Sequence, residues 1–405
     1  MSGLLKSKIW LSSPHMSGNE LGYIEEAFRC NWIAPAGPHI EVFERELCAY
    51  NEVNHSVVLS SGTAAIHLGL MLLDVQPDDY VLTQSLTFVA SANPIKYLGA
   101  TPVFIDSEAA TWNMCPYQLE RAIQACLRGE IKTSSGKGGA KLPKAIIPVH
   151  LFGMPANMTE IMKVANRYGI PVLEDSAEAL GSKYYGQSCG AIGELGVISF
   201  NGNKIITTSS GGALISNNEN MIKRAKFLST QAKEVAMHYE HTQVGYNYRL
   251  SNVLAGIGIA QLEVLDERVE ARRKNFAFYK DYFSQVEGVD VLEEPNEGYF
   301  SNRWLTTIMI SPLEAKGLTK DDLMIALACE NIESRPIWKP MHLQPLYAHY
   351  SFFGEGISDE IFDKGLCLPS GSNLSESDML RIQAVMDELF HHAKIDNKKT
   401  AAFHL

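Results

Sequence analysis

Val57-Val58-Leu59-Ser60-Ser61-Gly62-Thr63-Ala64-Ala65-Ile66-His67-Leu68-Gly69-Leu70-Met71-Leu72-Leu73 passes from a short apolar run, through small polar residues, into a stretch that is apolar nearly all round. The first run reads as a buried strand. Thr63 to Leu73 reads as a helix covered on several sides. Working outward, the same alternation recurs. Tyr80-Val81-Leu82-Thr83 is a strand, Phe88 to Leu98 a helix, and Thr101 to Asp106 a strand. Ala145-Ile146-Ile147-Pro148-Val149 and Pro171-Val172-Leu173-Glu174 are further strands, with a helix from Met158 to Tyr168 between them. From about 56 to 230 the pattern predicts βαβ units and a largely parallel, buried sheet.

Beyond about 250 the texture changes. A charged helical stretch runs from Asn252 through Glu263, Asp266, Arg268, Arg272 and Lys274. A smaller α+β region follows, with a strand over Trp304–Ile310, a helix over Lys320–Glu330 and a last helix over Asp378–His391. The expected division is a large domain over 1–255, N-terminal segment included, and a small domain over 256–405. Thr133-Ser134-Ser135-Gly136-Lys137-Gly138-Gly139-Ala140-Lys141 reads as a surface loop, because it lacks the spacing of a phosphate-binding P-loop. The chain has 405 residues, 46% hydrophobic and 20% charged, with net charge −11. That balance gives no bulk electrostatic support to nucleic-acid binding. The seven cysteines are scattered without a C-x-x-C pair, no leader-like apolar run follows Met1, and no stretch is long enough to span a bilayer. A cytoplasmic enzyme is the expectation.

Five places carry candidate chemistry. Ser61-Gly62-Thr63 opens a helix at the carboxyl end of a strand, where free N–H groups and two hydroxyls suit an anion; an ordinary N-cap has the same look. Asp175 ends a buried strand, and its neighbour Glu174 points to the other face. Lys204 follows the strand Ile198-Ser199-Phe200 and the polar turn Asn201-Gly202-Asn203. On spacing alone it reads as a solvated loop lysine. A lysine to hold an aldehyde, a carboxylate to hold a ring nitrogen and a phosphate loop are together what pyridoxal 5′-phosphate (PLP) requires. In that reading Lys204 binds the aldehyde and later moves a proton between the donor Cα and the cofactor. Phe88, after the Val81-Leu82 strand, suits either stacking on a cofactor ring or core packing. Arg335-Pro336-Ile337-Trp338-Lys339-Pro340-Met341-His342 is a stiff, cationic and aromatic segment, suited to an anionic or planar group or to plain surface packing.

At these residues the chain resembles the DegT/DnrJ/EryC1/StrS family of PLP-dependent sugar aminotransferases. The resemblance runs from about Pro14 to the C-terminus. It rests on Ser61-Gly62-Thr63-Ala64-Ala65, Thr87-Phe88-Val89-Ala90, Pro148-Val149-His150-Leu151-Phe152-Gly153, Glu174-Asp175-Ser176-Ala177-Glu178-Ala179-Leu180-Gly181, Ser199-Phe200 before Lys204, and Gly245-Tyr246-Asn247-Tyr248-Arg249-Leu250. It implies an α/β, fold-type I transferase: a mostly parallel seven-stranded sheet between helices, plus a smaller C-terminal α+β domain. It implies that Ser61, Gly62, Thr63 and Ser199 hold the PLP phosphate, that Phe88 stacks on the ring, and that Asp175 binds the pyridine nitrogen. Lys204 would carry the cofactor covalently, with Glu178 and Asn201 beside it. Asn247 would reach the phosphate of a neighbouring subunit, making the enzyme at least a homodimer. His150, Arg335, Lys339 and His342 are the expected substrate contacts.

Glu178 stands where many relatives have Gln, and Ser209-Ser210 where many have Gly-Glu. Both are similar to the subgroup that aminates UDP-linked N-acetyl 4-keto-6-deoxyhexoses toward bacillosamine-type sugars, as are Asn302-Arg303-Trp304-Leu305-Thr306 and the Arg335–Pro345 segment. The expected reaction is transfer of an amino group from L-glutamate to the C4 ketone of a UDP-linked 2-acetamido-2,6-dideoxy-4-hexulose. The rivals are a C3 aminotransferase on a dTDP- or UDP-linked 3-keto sugar, a PLP-dependent sugar dehydratase, against which the lysine counts, and a regulator without turnover. No metal is expected.

Overall fold

A computed structural model of the chain describes residues 6–133, 135–136 and 139–401, with side chains as far as Phe390. Lys137 and Gly138, at the centre of the glycine-rich loop, lie outside the described residues.

The main sheet is built from β1 (His55–Leu59), β2 (Tyr80–Gln84), β3 (Thr101–Ile105), β4 (Ala145–Ile147), β5 (Leu173–Asp175), β6 (Leu195–Ser199) and β7 (Gly212–Ser216). Two four-stranded ladders share it. Parallel bridges Ile146–Val172 and Val149–Asp175 join them across β4 and β5. The order across the sheet is β1-β7-β6-β5-β4-β2-β3, and β7 alone runs against the rest. These strands are buried almost end to end, as a sheet with helices on both faces demands. The helix Gly62–Leu72 runs beside the sheet, capped by Ser61 Oγ accepting from Ala64 N–H.

Two elements differ from the sequence reading. The helix expected over Phe88–Leu98 is a single 3-10 turn, Val89–Ser91, followed by a short helix, Asn93–Tyr97. Pro94 has no N–H to donate and is tolerated only in a helix's first turn, so the helix starts at Asn93 and Phe88 stays extended. The charged stretch after Asn252 is two helices, Asn252–Leu262 and Leu265–Phe283, and the second carries Arg272 into the interior. Among the described residues, Arg272 pairs with no carboxylate there. It donates to the carbonyls of Trp304 and Ser370 and to Ser12 Oγ, and burial lowers its pKa to about 9.

The C-terminal half builds an antiparallel sheet from Val289–Val291, Thr306–Ile310, Gly365–Leu368 and Arg335–Pro336, in that order. The N-terminal segment, grouped above with the large domain, runs along this half instead, with Ile9 bridging to Ile332. The small half also reaches back. Phe352–Phe353 adds a parallel strand at the edge of β3. Next to it the buried carboxylate of Asp106 accepts N–H bonds from Ser107, Glu355, Gly356, Ile357 and Ser358, at 2.8–3.1 Å. Burial alone would raise this carboxyl. Ser358 and the converging N–H groups outweigh that and hold it below the usual carboxylate range. Among the described residues no helix is long and apolar enough to cross a membrane.

Candidate active site

A cavity of about 650 Å³ opens at the carboxyl ends of the parallel strands, where α/β sheets bind their ligands. Three parts of the chain wall it. The strand ends supply Ser61, Gly62, Thr63, Phe88, Asp175, Ser199 and Lys204. The N-terminal segment supplies Trp10, Leu11 and Ser12, and the small half supplies Glu333, Arg335 and Trp338.

The anion cradle forms because β1 feeds directly into a helix. Four N–H groups at such a helix start have no intrahelical partner, and Ser61 Oγ satisfies only the one on Ala64. Gly62 and Thr63 face the cavity, and Ser199 closes the cradle from β6. A Cβ on Gly62 would stand 3.2 Å from Ser199 Cβ, so the missing side chain is what leaves room there. N–H groups, hydroxyls and a helix N-terminus together suit a phosphate ester.

Asp175 ends β5 with its carboxylate held on two sides. Ser91 Oγ donates to Oδ2 at 2.7 Å and Ala177 N–H to Oδ1 at 3.2 Å. Lys204 sits after the turn at the end of β6, its N–H bonded to Asn201 O. Its Nζ lies 3.2 Å from Glu178 Oε1 and 4.2 Å from the centre of the Trp304 ring. Glu178 also accepts the Phe152 N–H at 2.7 Å. Burial raises the Glu178 carboxyl, and the facing Lys204 works against that rise. A cradle for a phosphate, a carboxylate for a ring nitrogen and a shielded amine therefore share one cavity. That donor set suits PLP: Ser61, Gly62, Thr63 and Ser199 would hold the phosphate, Asp175 the ring nitrogen and Lys204 the aldehyde, with Phe88 on the wall.

Asn201 and Arg335 also line the cavity, whereas His150, Lys339, His342 and Asn247 do not. His150 is fully buried. Its Nδ1 accepts the Ala156 N–H at 3.0 Å, which leaves the ring proton on Nε2, 2.9 Å from Glu174 Oε2. Glu174 further accepts from Gly190, Ile192 and Gly193 N–H. The expectation of a substrate contact at His150 is thus corrected: it is an internal tie between β4 and β5. The neighbouring Phe152-Gly153 has the same character. Gly153 sits at φ +90°, where a Cβ would fall on the Asn302 side chain. His342 is likewise turned away. It meets Ser85 Oγ at 2.7 Å and Asp359 at 3.0 Å, and stacks on Phe352 with ring centres 3.7 Å apart. Lys339 is exposed outside the cavity wall. Asn247 is exposed and bridges to Thr230, its neighbours Tyr246 and Tyr248 packed on His67.

Three wall elements escaped the sequence reading as site residues. Trp304 forms the floor under Lys204 and donates its indole N–H to Asn203 O at 2.8 Å. Trp338 packs on Phe88 and Phe152. The N-terminal segment brings Ser12 Oγ to the same Asn203 carbonyl at 2.9 Å, beside Lys204. The only available signal for Trp304 and Trp338 was their place inside motifs; for the N-terminal segment there was none.

Comparison with other proteins agrees with this geometry. The family model described as the DegT/DnrJ/EryC1/StrS aminotransferase family matches residues 14–388. The chain is 50% identical over 395 residues to the Bacillus subtilis protein named "Putative pyridoxal phosphate-dependent aminotransferase EpsN", covering 96% of this chain and 98% of that one. It is 34% identical over 384 residues to the GDP-perosamine synthase of Caulobacter vibrioides, covering 94% and 98%. Among solved structures, a DegT DnrJ EryC1 StrS aminotransferase from Brucella abortus superposes with TM-score 0.84 at 30% identity, covering 92% of this chain and 95% of that chain.

Proposed function

The chain belongs to the DegT/DnrJ/EryC1/StrS aminotransferase family and is PLP-dependent, and from that premise we propose its reaction: transfer of an amino group from L-glutamate to the C4 ketone of a UDP-linked 2-acetamido-2,6-dideoxy-4-hexulose. The product would serve a surface polysaccharide or glycoprotein sugar, made in the cytoplasm where nucleotide-linked sugars are used. The observation that carries the reading is the meeting of Lys204, Asp175 and the Ser61–Thr63 cradle in one cavity whose rim carries Arg335. A binding protein without turnover has no need of a shielded amine at that place.

When bound, PLP supplies an aldehyde for the amino group and a ring that draws electrons from the reacting carbon. The chain's own residues do the rest. The cradle anchors the phosphate. Asp175 keeps a proton on the ring nitrogen. Lys204 Nζ takes the proton from the donor Cα, and in the return half delivers one to C4 of the sugar. Trp304 lies against the amine and shields it on that side, and Trp338 packs beside Trp304. Arg335, exposed at the rim and paired to Glu333 through Nε and Nη2 at 3.0 and 2.7 Å, suits the diphosphate because its planar fork matches phosphate oxygens.

The test is a panel assay: glutamate with UDP-, GDP- and dTDP-linked keto sugars, and products identified by mass. The UDP-linked 4-keto N-acetyl sugar is expected to react best, and Arg335→Ala to raise its KM far more than that of glutamate. A dTDP-linked 3-keto sugar in first place would transfer the reading to the C3 rival. A GDP-linked sugar in first place would side with the relative named GDP-perosamine synthase.

The assembly we propose is a homodimer that shares its sites. Asn247 lies off this chain's own cavity and exposed. The nearby segment holds Val235 and Met237 fully exposed, with Tyr239 and Val244 nearly so. A solvated monomer gains nothing from such apolar side chains, whereas a second copy would cover them. Sedimentation should find a dimer, strengthened by PLP; an active, PLP-saturated monomer would rule it out.

A further inference from the structure

We propose that Trp10 is the platform on which the nucleobase of the acceptor stacks. This rests on the reading of the acceptor as a nucleotide-linked sugar, but not on which nucleotide it is. Tryptophan is ordinarily well covered, yet Trp10 is 53% exposed, on the cavity wall. The backbone around it is anything but loose. Ile9 N–H donates to Asn331 O at 3.1 Å, Glu333 N–H to Ile9 O at 2.8 Å, and Ser370 N–H to Leu11 O at 2.8 Å. Ile9 is buried in the small half, and alternation along this extended segment turns Trp10 the opposite way. A rigid backbone therefore presents an uncovered aromatic ring at the opening.

The surroundings fit the rest of such a ligand. Lys8 Nζ stands 4.6 Å from the centre of the Trp10 ring. One carboxylate fixes the segment and the rim arginine together. Glu333 Oε2 accepts the Leu11 N–H at 3.2 Å, while Oε1 accepts both bonds from Arg335. Ser12 meets Asn203 O next to Lys204, so Trp10 lies two residues further out along the segment, roughly 7 Å from that anchor. Outward from Lys204 the segment thus passes the Glu333–Arg335 pair and then the Trp10 ring, an order that suits keto sugar, diphosphate and base. Base stacking on an aromatic ring is tolerant of base identity, so Trp10 holds the base without choosing it.

The test uses the full-length, PLP-loaded protein, with UDP, GDP and dTDP as probes in calorimetric titrations, and the spectral response to glutamate alongside. Trp10→Ala should weaken the best-bound nucleotide by roughly ten- to a hundred-fold, and Trp10→Phe should recover most of it, since stacking needs a ring and not an indole N–H. The response to glutamate, which has no base, should follow the wild type. Unchanged nucleotide affinity in Trp10→Ala, failure of Trp10→Phe to recover it, or an equal loss of the glutamate response would each overturn the proposal. Wild-type protein that binds none of the three nucleotides would instead overturn the acceptor reading, and this proposal with it.

Discussion

Lys204→Ala is expected to abolish transamination, lowering turnover by at least roughly 10⁴-fold, because one substitution removes both the covalent anchor and the proton-moving base. The side chain is nearly covered, held between Glu178 and the Trp304 ring. No other described amine lines the cavity, so no neighbour can take over its part. Cofactor should still be retained in the variant, since the Ser61–Thr63 cradle and Asp175 do not depend on the amine. Borohydride treatment followed by peptide mass analysis is the direct check: wild-type protein should carry the cofactor on Lys204, and the variant should carry none covalently. Normal turnover in Lys204→Ala would sink the assignment.

Asp175→Asn should be the next most damaging change, on the order of 10³-fold in turnover, because a buried charge partner for the ring nitrogen is lost while shape is kept. Ser91 and Ala177 hold the carboxylate in place, and an amide oxygen can still accept one of these bonds. The fold should therefore survive, and stopped-flow spectra with glutamate should show cofactor binding intact but the proton-transfer step slowed. Turnover within a few-fold of wild type would mean that another group protonates the ring.

The parts of the site that could be read from sequence are those built by a single strand and its following turn. Ser61-Gly62-Thr63 and Asp175 stand at the end of an apolar run, Lys204 one polar turn beyond another, and a parallel sheet brings all such turns to one edge. The register between strands is not written in any one of them. His150 was expected as a substrate contact with the family resemblance, and it too follows an apolar run, at Ile146-Ile147-Pro148-Val149. Only the pairing of Val149 with Asp175 shows that its ring turns inward to Glu174. The helix expected over 88–98 failed on one residue, Pro94, whose missing N–H is visible in the sequence and should have fixed the helix start. Trp10 could not be found at all. Its role depends on a contact between Ile9 and Ile332, and nothing in a short extended segment tells which distant strand it joins.

The edge strand at Phe352–Phe353 and the Asp106 anchor beside it have a mechanical consequence. Many two-domain enzymes admit substrate by swinging one domain about a hinge. Here such a swing would have to peel a strand off the main sheet and strip a carboxylate of its N–H partners together, against a ladder and a buried charge at once. The two halves are riveted on the β3 side. On the opposite rim the N-terminal segment is tied as well, by Ile9 and Leu11 to the small half and by Ser12 to Asn203. The pocket behaves less like a jaw than like a fixed vise.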